Sequence, residues 1–310
     1  MTEASDKAIH STLAQAGWKA RMKSMDTELI ILGRGSPNKT KDGRKTLCAI
    51  GLSKEIGLVR VYPVNAEARQ FRLWNRIKVK LKRNEKDNRP ESFYLDHDFY
   101  SQPSQIKVVE TIKDSADKLQ ILDSCELQSG EMDPIDFCNQ NKMSIALVRP
   151  EKNQIWGVVK PNDRQRNDRP EDGEQEWLPT QEQAPFIYQI GWQSIQGKNH
   201  TQSVVSFEFH EAQRKFEATP YALLDNAKIS SKDYQKWFLL GNQNNKRNSF
   251  LIVHVHRFLE HDQGFMLPCC DILNGNPAGW PYFVTGGRNV KNVGPQMDLF
   301  KSTTLFTESA

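Results

Sequence analysis

Apolar positions in the first third of the chain come in short, β-branched-rich runs. They are "ELIILGR" (28–34), "KTLCAIGL" (45–52), "GLVRVYPV" (57–64) and "RIKVKLKR" (76–83), separated by Gly, Pro and Asn clusters. Runs of this length between turn residues predict strands, and several in succession predict a small barrel or a strongly curved sheet. The clearest alternation is "NRIKVKLKR": Ile77, Val79 and Leu81 fall on one face, and Arg76, Lys78, Lys80 and Lys82 on the other, because strand side chains alternate. "SPNKTKDG" (36–43) reads as a hairpin loop carrying the turn pair Asp42-Gly43.

Beyond residue 100 the periodicity is mixed. Helical spacing is expected over 4–16, with Ser5 as cap and Gly17 as stop, and over 115–123 and 133–141, where Asp133-Pro134 opens a helix in the favoured order. "MSIALVRP" (143–150) and "QIWGVVKP" (154–161) read as a hairpin. Strands are expected at 185–192, 203–210, 249–258 and 282–285, and a helix over "SSKDYQKWFLLG" (230–241). "NDRQRNDRPEDGEQEWLPTQEQ" (162–183) is almost wholly polar and reads as a linker or insert. The fold class expected is α+β, with a β-rich, barrel-like or curved-sheet N-terminal domain and a second mixed α/β domain. The division is a lead-in over 1–27, a basic β-rich domain over 28–161, the polar segment 162–183, a mixed domain over 184–290 and a tail over 291–310.

Composition changes this picture little: 37% hydrophobic and 26% charged residues in 310 suit a globular chain with a polar surface. No run of about 18 apolar residues predicts a membrane helix, and the first 30 residues lack the apolar core of a secretory signal. Five cysteines without regular spacing argue against a disulfide framework and for a reducing, cytoplasmic setting. Charge is more informative. The net value is +4, but residues 34–89 hold sixteen bases and five acids, so that segment is +11 and the remainder −7. A basic first third on an otherwise acidic chain points to a polyanionic partner, DNA or RNA. Residues two apart on a strand are spaced about 6.6–6.8 Å, close to the phosphate repeat of an extended strand. Arg44, Lys45, Arg60, Arg76, Lys78, Lys80, Lys82 and Arg83 are therefore the candidate phosphate contacts. The competing explanation is an edge strand guarded by lysines.

Catalytic signatures are weak, so no enzyme is the favoured reading. His254-Val255-His256 places two imidazoles on one strand face, a spacing that can chelate one divalent metal. With nearby carboxylates this gives the alternative of a metal-dependent nuclease; otherwise no cofactor is expected. Glu208, Glu211 and Lys215 form a second, looser acid–lysine cluster. The glycine-containing "LGRGSPNKT" (32–40) lacks the Gly-Lys-Ser/Thr ending of a phosphate loop. A third class is a non-enzymatic assembly subunit whose basic face meets an acidic protein.

Two resemblances add expectations. "QMDLF" (296–300) resembles the peptide by which bacterial polymerases and repair factors dock on the sliding clamp. That resemblance implies that Gln296 enters a polar pocket and that Leu299 and Phe300 fill an apolar one. The partner would be a sliding clamp or another protein subunit. "VRVYP" (59–63), "RPES" (89–92), "GVVKP" (157–161), "FLLGN" (238–242) and "SFLIV" (249–253) resemble an uncharacterised bacterial family associated with mobile-element and defence neighbourhoods. That resemblance implies Cys and His ligands around "FEFHEAQRKFEA", where this chain keeps His210 and has no Cys. Together these readings give a partner-recruited, nucleic-acid-binding accessory protein in bacterial repair, mobile-element or antiviral defence biology, without a membrane partner.

Overall fold

In the computed structural model, residues 24–163, 184–213 and 219–259 are described. The first four expected strands are present as β1 Met25–Arg34, β3 Lys45–Ser53, β4 Gly57–Asn65 and β5 Asn75–Arg83, with a two-residue β2 Asn38–Lys39 completing the hairpin before β3. Gly43 holds the hairpin turn at φ 84°, a conformation that favours glycine. β6 Ser92–Leu95 runs parallel to β4 and antiparallel to β5, and β5 pairs back to β1. The ring order is therefore β1-β3-β4-β6-β5-β1, a closed five-stranded barrel. β7 Lys107–Thr111 is added on the outside of β5. Leu29, Ile31, Val59, Val61, Ile77, Val79 and Leu81 fill the barrel interior, as their alternation requires.

A short helix, α1 Gln102–Gln105, and then α2 Ser115–Cys125 lead into the second half. Next come α3 Pro134–Gln140, β8 Ile145–Val148, β9 Ile155–Pro161, β10 Phe186–Gln193, β11 Asn199–Ser203, α4 Phe207–Gln213, α5 Pro220–Asn226, β12 Tyr234–Gln243 and β13 Lys246–Leu259. Asp133 caps α3 by accepting from the backbone N–H groups of Ile135 and Asp136, as its place before Pro134 predicts. One three-stranded sheet runs β11-β10-β9 and the other β13-β12-β8. They meet at a parallel bridge, Val204 to Ile252, and through the chain passing from β8 to β9. If β8 and β9 are counted as one bent strand, this half repeats the order of the first barrel, helices α4 and α5 lying between its third and fourth strands. The repeat is one of topology and was invisible as sequence repetition.

Three sequence expectations are corrected. Residues 143–161 are not a hairpin: β8 pairs with β12, and β9 with β10. A division at residue 161 therefore cuts across the pairing, since both strands belong to the second half. "SSKDYQKWFLLG" is mostly strand β12, which is flanked by β13 and β8 and buried on both faces from Lys236 to Asn242. An uninterrupted apolar run carries no alternation to separate it from a helix. "SVVSFEFH" ends β11 and begins α4 rather than forming one strand. The helix expected over 4–16, the strand at 282–285 and nearly all of the polar segment 162–183 lie outside the described residues.

The β12 assignment places Lys236 in the interior at 1% exposure. Its Nζ donates to the carbonyls of Ser231 at 2.6 Å and Tyr234 at 3.0 Å. Burial, with Lys152 and Arg257 nearby, pulls its pKa down to about 8. Below that pH the ammonium is charged in both folded and unfolded chains. Between about 8 and the unperturbed 10.5 the unfolded chain still holds a proton that the folded one has released. Stability is thus expected to rise with pH across this window. Urea unfolding at stepped pH should show that rise in the native sequence and its loss in Lys236→Met.

The two halves share a continuous apolar seam. Ile30 and Leu32 on the outer face of β1, with Ile50 and Leu52 of β3, pack against Ile145, Leu147, Trp237, Leu239 and Val253. Gly33 permits the closest approach: a Cβ there would stand 2.5 Å from Leu239 Cδ2. No described helix is long and apolar enough to cross a membrane.

Candidate nucleic-acid interface

The cation row of β5 faces outward, as the alternation predicts: Ile77, Val79 and Leu81 are buried, and Lys78 and Lys82 are exposed. It is not, however, a bare row of positive charge. Glu28 of β1 lies 3.6 Å from Lys78 and 3.8 Å from Arg76, Glu110 of β7 also pairs with Arg76, and Asp96 lies 3.9 Å from Lys80. Asp26 stands opposite Lys80 in the β1–β5 register. Four cations thus meet four carboxylates on this wall. β5 is also an interior strand, paired on both sides, so the edge-strand explanation does not hold.

Arg60 and Arg83 are used within the fold. Arg60 is 6% exposed, because the second half covers the outer face of β4. Its guanidinium donates to the carbonyls of Asn242 at 2.7 Å and Ser144 at 2.8 Å. Arg83 donates to the carbonyls of Pro90 and Ser92, strapping the β5–β6 loop. Arg60 is therefore no phosphate contact, and Arg83 is largely occupied.

Three of the five segments that carry the family resemblance meet at this junction. Arg89 also reaches the Asn242 carbonyl, at 2.8 Å, and pairs with Asp87, which accepts from Ser92 Oγ at 2.7 Å. Glu91 accepts from the Ser144 N–H and hydroxyl, both at 3.0 Å. Arg60 of "VRVYP", the "RPES" loop and Asn242 of "FLLGN" thus form one clasp between the halves. Asp87 is buried, which opposes ionisation, yet hydrogen bonds from Arg89 and Ser92 hold its pKa down to about 2. Arg60→Leu removes one charged donor from each of two buried carbonyls, leaving Asn242 with Arg89 and Ser144 with the Asn242 N–H. A loss of about 3 kcal/mol in unfolding free energy is expected by urea titration.

Four further cations lie on the β2–β3 hairpin. Lys39 and Lys41 are exposed and make no ion pair among the described residues. Arg44 Nε donates to Asp42 at 2.7 Å, and its guanidinium lies 5.1 Å from the Phe99 ring centroid. Lys45 is half-buried at the start of β3. Tyr100, 73% exposed, packs edge-on against Phe99 at 5.4 Å. Tyr62, 36% exposed on β4, brings its hydroxyl to 3.4 Å from Thr46 Oγ1. The hairpin therefore carries four cations and one carboxylate beside three accessible rings. The charges were legible in the sequence, but their proximity to Tyr62 and Tyr100 was not, because it depends on barrel closure.

His254 and His256 lie side by side with ring centroids 4.6 Å apart, and both are buried. His254 Nδ1 is 3.4 Å from Glu208 Oε2, and Glu208 is held by Arg34 at 2.7 Å and by Ser206 Oγ at 3.0 Å. His256 Nε2 has no hydrogen-bond partner among the described residues, and Trp74 meets its ring at 5.1 Å. Burial and the neighbouring His254 keep the His256 imidazole neutral, its pKa far below the ordinary range. Among the described residues, no group of three or more His, Cys, Asp or Glu side chains is arranged to hold a metal ion. Glu208 of the acid–lysine cluster is committed to Arg34, and Lys215 lies outside the described residues. Gln296, Leu299 and Phe300 lie outside them as well.

A family model described as a domain of unknown function, DUF8758, matches residues 25–124, which span the first barrel, β7 and nearly all of α2. No curated protein matches the sequence. Among solved structures, the tetrameric p202 HIN2 is similar at 10% identity with a TM-score of 0.25, covering 77% of this chain and 95% of that one. The p204 HINb domain is similar at 10% identity with a TM-score of 0.31, covering 77% and 99%. At these scores the likeness decides nothing about this chain.

Proposed function

We propose that this protein binds nucleic acid, with phosphates held at the β2–β3 hairpin by Lys39, Lys41, Arg44 and Lys45. The observation that carries this reading is the hairpin itself: four cations against one carboxylate, next to the exposed rings of Tyr62 and Tyr100. Cations on a projecting loop neutralise phosphates and release counterions, and rings beside them offer stacking surfaces. The barrel's strand order also matches the five-stranded Greek-key barrel that other proteins use for oligonucleotides and oligosaccharides. That is an analogy of fold and not of site. The outward lysines of β5 belong to the same reading as secondary contacts, reduced by their own carboxylates. Reversing Lys39, Lys41 and Arg44 to Glu, against the same change at Lys78, Lys80 and Lys82, tests which face carries the binding.

The tail extends the proposal. Gln296, Leu299 and Phe300 support recruitment to a protein partner, a sliding clamp in the most concrete form, which would place the protein in repair, mobile-element or defence biology. Support for this part is the pentapeptide itself.

A further inference from the structure

The two halves repeat one strand order but differ in what covers them. On the first barrel, the second half covers the outer face of β3 and that of β4 at Arg60, leaving Tyr62 exposed: Ile50 and Leu52 join the seam, and Arg60 joins the clasp. On the second half, the outer face of β9, β10 and β11 carries exposed and half-exposed side chains among the described residues. Trp156 projects from β9 directly opposite Gly191 of β10. The glycine has no side chain, and the indole occupies that space: a Cβ on Gly191 would stand 2.0 Å from Trp156 Cε2, 2.2 Å from Nε1 and 2.3 Å from Cζ2. Three consecutive ring atoms at nearly equal distance mean that the indole lies across the glycine backbone. It is 39% exposed, so the side turned away from the sheet is accessible, and its N–H makes no hydrogen bond among the described residues.

Among the described residues, the strand positions that share this face are mostly polar and include no carboxylate. Alternation puts Val158 and Lys160 of β9 on this face, with Ile187, Gln189 and Gln193 of β10 and Asn199, Thr201 and Ser203 of β11. Gln189 Nε2 lies 3.4 Å from Ser203 Oγ, and Gln193 Nε2 lies 3.3 Å from Asn199 Oδ1. A large ring held flat gives a planar ligand a stacking surface with little ordering cost. Amides and hydroxyls beside it can donate to and accept from base edges, and among the described strand positions of this face Lys160 is the one charged residue.

We infer that Trp156, seated on Gly191, is a stacking platform for an unpaired base of a single-stranded nucleic acid. This rests on the nucleic-acid reading above and narrows it, because a base locked in a duplex stack has no free face to offer. The cross-strand Trp–Gly pairing fixes the ring's position and so separates this site from the hairpin, which acts through phosphates.

The test uses the full chain and a single-stranded oligo-dT of about 15 nucleotides, long enough to span one barrel face. Binding is followed by anisotropy of a labelled strand and by the protein's own tryptophan emission. Trp156→Ala is expected to weaken binding roughly tenfold, with an unchanged melting temperature, and to remove most of the emission quenching. Trp156→Phe should keep affinity near that of the native protein while still losing the quenching. Gly191→Val, which leaves every tryptophan in place but displaces the ring, should match the alanine variant. Unchanged affinity and quenching in Trp156→Ala overturns the platform and leaves the nucleic-acid reading standing. A native protein that does not bind the strand at low salt removes both. Quenching by chitotetraose but not by the oligonucleotide overturns the base assignment in favour of a sugar.

Discussion

Glu208→Gln is expected to cost roughly 3–5 kcal/mol of stability and to lower the melting temperature by on the order of 10 °C. Glu208 is 4% exposed and accepts from Arg34 through both Nε, at 3.0 Å, and a terminal nitrogen, at 2.7 Å. Ser206 and His254 occupy its other oxygen, and Arg34 also stacks over Phe207, its guanidinium 4.0 Å from the ring centroid. The amide keeps the shape and removes the charge, so the buried guanidinium of Arg34 loses its counter-ion. The cost comes from that orphaned charge more than from the lost bonds. A double variant, Arg34→Met with Glu208→Leu, should therefore recover much of the loss. Calorimetry on the native and two variant proteins checks the order.

The same residue shapes the acid limb. Burial alone would raise the Glu208 pKa, but Arg34 and the hydrogen bonds overcome it and hold the carboxyl far below its usual value of 4.5. Its contribution is complete above that value. It is lost as the pH falls further, because the unfolded chain takes up a proton that the folded chain refuses. The acid limb should be flatter in Glu208→Gln. Arg34, Ser206 and Glu208 join the end of β1 to the start of α4, and the backbone bridge Gly35–Ser206 lies at the same place. Loss of stability here should therefore be loss of the contact between the halves.

Reversing Lys39, Lys41 and Arg44 to Glu is expected to lower oligonucleotide affinity by about tenfold or more at low salt, for all sequences alike. The change leaves the interior untouched, since Lys39 and Lys41 project into solvent and Arg44 bonds chiefly to its own turn. Native circular dichroism and melting temperature are expected. The matching reversal at Lys78, Lys80 and Lys82 should do less to binding and more to stability, because it places Glu beside Glu28 and Asp96. Anisotropy titrations of both triple variants decide between the two faces.

The first barrel was legible in the sequence wherever a strand has one wet and one dry face. β5 shows this best, with Ile77, Val79 and Leu81 inside and the lysines outside. β12 was not legible, because neighbours on both sides and buried faces leave no alternation to read. Arg60 and Lys78 carry the same signal, a base between two valines or between Ile77 and Val79. Only the position of the second half makes one a buried clasp and leaves the other exposed. The acids that temper β5 come from β1, β7 and the residue after β6, so local counting of charge missed them. Trp156 had no distinguishing feature in the sequence. Its meaning depends on register with Gly191, across a segment of more than twenty residues.

The salt dependence of oligonucleotide binding tests the phosphate contact most directly. For the native protein, log affinity should fall steeply and linearly with log salt, and the Lys39, Lys41 and Arg44 reversal should reduce that slope by about 2. A native slope near zero, or one that the reversal leaves unchanged, would contradict phosphate binding at the β2–β3 hairpin.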